Sequence, residues 1–286
     1  MNSYKDILVH LDQTDRCAAR LAIAAGLASR FGAHLAGTYV IDVPPVDFFN
    51  AAALPLDAEG VERIRDQMRS DAMAAAGPVE AAFRALLQRE GLAGEWRLAE
   101  GNHAATIALH ARYADFVVLG QTNRYDDSSG WGVRSMIETA VMGSGRPVLV
   151  IPFAGDFPVQ SERILVAWNA TREAARAVND ALPLLREAKA VTVLAINPRR
   201  GITAHGDVPA ADIALHLARH GVRAEAAHTR AGDIADGEAL LSYAADISAN
   251  LIVAGAYGHS RARELVFGGV TRTLLTEMTV PVFLSH

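Results

Sequence analysis

Apolar and polar positions along this chain follow two different periods. Short apolar runs such as "DILVHL", "FVVLG" and "LIVAG" alternate with longer stretches in which apolar residues recur every three to four positions. The runs predict strands and the longer stretches predict helices. In the first half the strands are expected at residues 6–11, 34–40, 95–99, 115–119 and 147–151. In the second they are expected at 163–168, 190–196, 224–228, 250–254 and 280–284. Several runs are apolar without alternation, as expected for parallel strands covered by helices on both faces. Strands separated by helices in this way predict βαβ units around parallel sheets.

The pattern is written twice. "KDILVHLDQTDRCAARLAIAAGLASRFGAHLAGTYVID" is answered by "ERILVAWNATREAARAVNDALPLLREAKAVTVLAIN", with Ile7 matching Ile164 and Thr14 matching Thr171. "ADFVVLG" is answered by "ANLIVAG", and "RPVLVIP" by "VPVFLSH". Two domains follow, over residues 1–154 and 161–286, joined through "PFAGDFPVQSE", where two prolines and a glycine interrupt the pattern. The first half carries an additional segment, about Asp42 to Gly94, with a long helical pattern that Gly77-Pro78 is expected to kink or split.

Composition narrows the function classes. With 286 residues and 51% apolar side chains the chain can bury a full core in each half. A net charge of -5 gives no electrostatic footprint for nucleic acid or for an anionic membrane, and no apolar run reaches the length of a bilayer span. One cysteine, Cys17, allows no internal disulfide, so a cytoplasmic location is expected. All but two of the 27 basic residues are arginine, so an anion held by a side chain would meet a guanidinium.

The stretch "GAYGHSRARELVFGG", Gly255 to Gly269, stands directly behind a predicted strand. In a doubly wound sheet that end of a strand borders the ligand crevice. Glycine at 255 and 258 lets the backbone turn tightly and come close to a ligand. Gly268 and Gly269 open the final helix, whose first amides and dipole can seat a phosphate.

Gly255-x2-Gly258-x9-Gly268 resembles the nucleotide loop of the universal stress protein family, and "ILVHLDQT", "ILVAWNAT" and "RPVLVIP" resemble its first and last strands. The resemblance covers nearly the whole chain as a tandem pair. It implies two Rossmann-like α/β domains, each a five-stranded parallel sheet of order 3-2-1-4-5 flanked by helices, and ATP binding in one branch of the family. It also implies that the two domains pack as a pseudo-dimer through their final edge strands, and it allows a further homodimer. In the nucleotide-binding branch an acid after strand one holds the ribose, the end of strand two contacts adenine, and the glycine loop holds phosphates.

Carried onto the second half, this implies a nucleotide site of Asn169, Ile196, Gly255, Gly258, Gly268, Gly269 and Thr271. Asn169 stands where Asp is usual and Gly269 where Ser or Thr is usual. In the first half Asp12, Val40 and Gly120 match, but Asn123 replaces the second glycine and Arg134-Ser135 falls where Gly-Ser belongs. Phosphate binding is therefore expected in the second half only.

Three functions compete: a nucleotide-binding regulatory protein that signals through its surface, a stress-associated interaction protein without nucleotide, and a slow ATP hydrolase or related enzyme. No Gly-x4-Gly-Lys-[Ser/Thr] loop, Gly-x-Ser-x-Gly elbow or catalytic cysteine setting favours the third. His216 and His220 share a helix face by spacing, and helix-surface histidines are the simpler reading than a metal site. Arg261, Arg263 and Arg272 flank the glycine loop. Trp131 and Trp168 are read as packing residues.

Overall fold

A computed structural model describes residues 3–51, 57–121, 133–198, 208–258 and 269–286. The first half runs β1 (Asp6–Leu11), α1 (Cys17–Phe31), β2 (His34–Ile41), α2 (Val46–Ala51), α3 (Ala58–Glu90), β3 (Gly94–Glu100), α4 (His103–Ala111), β4 (Phe116–Gly120), α5 (Val133–Gly143) and β5 (Val148–Ile151). The second runs β6 (Arg163–Ala167), α6 (Arg172–Asp180), α7 (Leu182–Glu187), β7 (Ala190–Ile196), α8 (Ala211–Arg219), β8 (Ala224–Thr229), α9 (Asp236–Asp246), β9 (Leu251–Gly255), α10 (Gly269–Glu277) and β10 (Val282–Ser285). Every expected strand is present, with ends shifted by at most two residues.

The two halves form one ten-stranded sheet in the order β3-β2-β1-β4-β5-β10-β9-β6-β7-β8. Each half is parallel and keeps the expected order 3-2-1-4-5. They meet where β5 and β10 pair antiparallel, with Phe283 opposite Leu149. This is the intramolecular pseudo-dimer, and its logic is simple: each domain covers the other's exposed edge. Val148, Val150, Val282, Phe283 and Leu284 are fully buried at the seam. Phe116 and Phe283 touch edge to face across it, with ring centroids 6.0 Å apart. Polar contacts tie the same seam: the Tyr4 hydroxyl donates to the Asp180 carbonyl at 2.7 Å, and Gln121 Nε2 to the Leu275 carbonyl at 3.0 Å.

The period-two geometry of the strands sends alternate side chains into two core layers. Ile7, Val9 and Leu11 of β1 join Leu21, Ala24 and Ala28 of α1 and Phe83 of α3 on one face. Leu8 joins Ala36, Val40, Ile107 of α4 and Ile137 of α5 on the other. Both layers continue through the second half without interruption.

The long helical insertion is there, but Pro78 does not split it: α3 runs unbroken from Ala58 to Glu90. Gly77, Pro78 and Ala74 are all exposed. Water can therefore satisfy the Ala74 carbonyl, which lacks the donor that proline cannot supply. Asp57 caps the helix by accepting from the Gly60 amide at 2.8 Å, and Gly91 ends it with φ 64°.

Candidate functional site

Each domain reverses its strand order beside its first strand, between β1 and β4 in the first half and between β6 and β9 in the second. Ligands of doubly wound sheets bind beyond the carboxyl ends at such points. The two places differ in what already fills them.

At the first-half switch point the hollow holds a guanidinium. Arg20 of α1 is 3% exposed. Its Nε donates to the His10 carbonyl at 2.6 Å, and its Nη2 lies 2.8 Å from Asp12 Oδ2. A Cβ on Gly120, at the end of β4, would meet Arg20 Nη1 at 2.5 Å. Glycine at 120 therefore makes room for an internal cation. The Asp12 carboxylate is fully engaged: its other oxygen accepts from the Thr14 amide at 3.0 Å and the Thr14 hydroxyl at 2.6 Å. Burial pushes this carboxyl up, but Arg20, His10 and the two Thr14 hydrogen bonds outweigh burial and leave it below the usual range.

Beside this pair lies a buried histidine. His10 is 4% exposed, and among the described residues neither ring nitrogen has a hydrogen-bond partner. Burial, then the charge of Arg20, drives its pKa down to about 3, with Asp12 pulling the other way, so the ring is neutral. His103, at the start of α4, stacks edge-on at 5.9 Å and is anchored through Nδ1 to Asp42 Oδ2 at 3.1 Å. Val40 is buried in the second core layer. In the second half, Ala167 and Ala177 stand where His10 and Arg20 stand in the first.

In the second half the end of β6 turns through Asn169-Ala170-Thr171. Asn169 Oδ1 accepts from the Thr171 hydroxyl at 2.9 Å and its amide at 3.3 Å, and Ala170 takes the left-handed conformation with φ 58°. Thr171 then caps α6 by accepting from the Ala174 amide at 3.3 Å. The glycine turn after β9 packs onto this helix start. A Cβ on Gly255 would lie 2.5 Å from the Ala174 nitrogen, so only glycine permits the approach. A Cβ on Gly258 would lie 3.1 Å from Glu173 Oε2 and 3.3 Å from Thr171 Oγ1.

The structure thus brings Asn169, Gly255, Gly258 and the start of α6 together. Ile196 ends β7, one strand away, with its side chain packed on the second core layer. Gly268, Arg261, Arg263, Asn123 and Trp131 lie outside the described residues. Gly269 opens α10, and among the described residues nothing lies within 4 Å of where its Cβ would be. Thr271 is buried, and its hydroxyl accepts from the Tyr257 amide at 3.4 Å, so its side chain braces the loop. The Ala256 amide donates to the Ser285 carbonyl at 2.8 Å. The first two amides behind β9 are therefore spent inside the protein, and a phosphate would have to rely on those from Gly258 onward. Tyr257 holds φ 60°, a conformation that costs a non-glycine residue about 1–3 kcal/mol.

Two side chains that matter here are not visible in any motif: Arg20 and Glu173. Glu173 is the second residue of α6, is 4% exposed, and accepts through Oε1 from Arg172 Nε. Burial pushes its carboxyl up, and hydrogen bonds from Arg172, from its own backbone and from Thr171, with the charge of Arg172, bring it below the usual value. Laying one half of the sequence on the other would have flagged both, since Arg20 faces Ala177 and Glu173 faces Arg16 in that alignment. His216 and His220 do share a face of α8, with rings 4.6 Å apart, and no group of three or more metal-ligating side chains forms among the described residues. Trp168 packs against the first core layer. No helix among the described residues is long and apolar enough to cross a membrane.

Comparison with known proteins agrees with this architecture. Over 98% of its length the chain superimposes on 95% of a universal stress protein from Archaeoglobus fulgidus, with a TM-score of 0.72 and 16% identity. Over 99% it superimposes on 92% of a functionally unknown protein from Pseudomonas aeruginosa, with a TM-score of 0.60 and 14% identity. At such identities the likeness speaks for the fold. No curated protein matches the chain. The sequence profile of the universal stress protein family matches twice, over residues 3–152 and 160–286. The chain is therefore a member of the universal stress protein family, with two of its Rossmann-like domains in tandem.

Proposed function

We propose that this protein is a non-catalytic regulator of the stress response that holds one adenine nucleotide, such as ATP, in its second domain and signals through its surface. The two domains are taken as residues 1–154 and 161–286. The observation that carries the reading is the contrast between the two switch points: Arg20 fills the first against Gly120, whereas in the second Ala177 stands in place of that arginine and Gly255 and Gly258 turn against the start of α6. In the second domain Asn169 would face the ribose, the backbone at Ile196 the adenine, and Gly258, Gly268 and Gly269 the phosphates. Gly255 and Thr271 would shape the loop rather than touch the ligand. A cytoplasmic protein, alone or as a homodimer, fits this role.

Equilibrium dialysis of the full chain against ATP with Mg²⁺ tests it, with Gly258→Asp as control. The expected result is one nucleotide per chain in the wild type and loss of retention in the variant, where a second carboxylate would sit beside Glu173. Equal, near-zero retention in both would overturn the reading.

A second reading, a stress-associated interaction protein without nucleotide, draws on the bonded amides of Ala256 and Tyr257 and the occupied hydroxyl of Thr271. Excess absorbance near 260 nm released on denaturing the purified protein would count against that alternative.

A further inference from the structure

The seam between the domains covers β5 and β10, which leaves β3 and β8 as the outer strands of the sheet. β3 pairs with β2 along its whole length, Gly94 to Glu100, without a bulge or a proline. The Leu35 amide donates to the Ala93 carbonyl at 3.0 Å, and the Gly101 amide to the Ile41 carbonyl at 2.9 Å. In a parallel ladder this turns the backbone groups of Glu95, Arg97 and Ala99 toward β2 and those of Gly94, Trp96, Leu98 and Glu100 outward. Among the described residues no strand meets that outward row. Such a row is a template for a further strand. Apolar surface flanks it on both faces of the sheet. Leu98 is exposed on the side where Trp96 packs against Phe83 of α3. On the other side exposed Leu109 of α4 and Tyr113 just beyond it line a groove with Arg97 and His110. β8 is one residue shorter, and its alanines at 224, 226 and 227 offer little apolar surface.

We propose that this edge joins two copies of the chain: β3 pairs antiparallel with β3 of a second copy about a two-fold axis at Trp96, and the sheet continues from one molecule into the other. The inference is independent of the nucleotide reading. Its register follows from the ladder and the charges. Outward residues bond only to outward residues, so the axis must fall on a residue rather than between two. Centred on Trp96, Gly94 and Leu98 bond across the axis, and Leu98 meets a glycine that leaves it room. Glu95 then stands directly opposite Arg97 of the second copy, twice by symmetry. Within each chain Arg97 Nε already donates to Glu95 Oε1 at 2.7 Å, so the four side chains alternate in sign. Opposite charges facing across antiparallel strands stabilise the pair, and like charges there oppose it. Centring on Glu95 or on Arg97 would set like charges face to face. Centring on Leu98 would set Arg97 against Ala99 and Glu95 against Gly101, with neither charge matched.

Sedimentation velocity of the full chain over a concentration series tests the claim on the wild type, on Glu95→Arg, on Arg97→Glu and on the variant carrying both changes. Circular dichroism confirms that each is folded. The wild type is expected to dimerise reversibly with a dissociation constant on the order of 10 µM, as suits an interface at the small end of the usual range. Each single reversal should weaken the dimer at least about tenfold, and the double variant should return to within about threefold of the wild type. An equimolar mixture of the two single variants should pair as tightly as the wild type, because each supplies the charges that the other lacks. A wild type that stays monomeric throughout, a dimer indifferent to the reversals, or single variants that do not pair when mixed would overturn the proposal. Should a single variant not fold, Leu98→Pro decides: it removes an outward donor and no bond to β2, so it should abolish the dimer, and a dimer that persists in it would refute the interface.

Discussion

Replacing His10 with leucine should flatten the dependence of stability on acid. In the folded protein the ring is buried, without hydrogen-bond partners at either nitrogen, and faces the Arg20 cation, which brings its pKa to about 3. In the unfolded chain the same ring titrates near its ordinary value of 6.5. Between those values the unfolded chain binds a proton that the folded one does not. The stability contributed by neutral His10 is thus complete above 6.5 and is lost as pH falls toward 3. The slope is about 1.4 kcal/mol per pH unit, so lowering pH from about 6 to about 4.5 should cost about 2 kcal/mol through this residue alone. Urea unfolding of wild type and His10→Leu, followed by circular dichroism across that range, measures it. Subtracting one protein from the other cancels the remaining histidines and most carboxylates. Parallel pH profiles for the two proteins would show that His10 is not held neutral and would refute the account of this cluster.

Other substitutions probe the same architecture. Arg20→Ala should destabilise the protein by about 3 kcal/mol in urea titrations at pH 7, because it orphans the His10 carbonyl and the Asp12 carboxylate together; a loss under 1 kcal/mol would mean that the guanidinium does not lock the first hollow. Gly255→Ala should cost more than about 3 kcal/mol or prevent folding, since its methyl would meet backbone rather than a movable side chain; near-native melting would contradict the close approach of α6 to β9. Ala170→Gly should be neutral or stabilising by up to about 1 kcal/mol, as glycine relieves the left-handed conformation at an exposed position where no packing is lost; a marked drop in Tm would show that this turn is held otherwise.

The strands were legible because parallel strands buried on both faces leave unbroken apolar runs, as "FVVLG" and "LIVAG" do. The seam was legible for a related reason. The last strand of each half is as apolar as the central ones, so each needs a partner on its outer edge, and β5 and β10 supply each other. Pro78 does not split α3, because the helix face around Ala74 and Gly77 is exposed and water can replace the missing donor, which sequence alone does not reveal. The glycine spacing marked a tight turn behind β9, against the start of α6, but not which of its amides are already bonded. The amides of Ala256 and Tyr257 find partners in β10 and on α10, more than ten residues further along the chain. Arg20 and Glu173 escaped notice because they belong to helices whose rotation about their own axes decides whether a polar side chain points to solvent or into the strand ends. Only the fold fixes that rotation. The difference between the halves at these positions was nonetheless written in the sequence, as Arg20 against Ala177 and His10 against Ala167.

The central claim is that the two similar domains are unequal, one hollow filled by its own arginine and the other left for a ligand. A crystal structure of the full chain grown with ATP and Mg²⁺ tests this most directly. The account predicts nucleotide density at the carboxyl ends of β6 and β9, against Asn169 and Gly269, with Arg20 still seated between Asp12 and Gly120. Nucleotide lodged at the ends of β1 and β4 with Arg20 displaced, or the second hollow closed over by its own side chains, would contradict it.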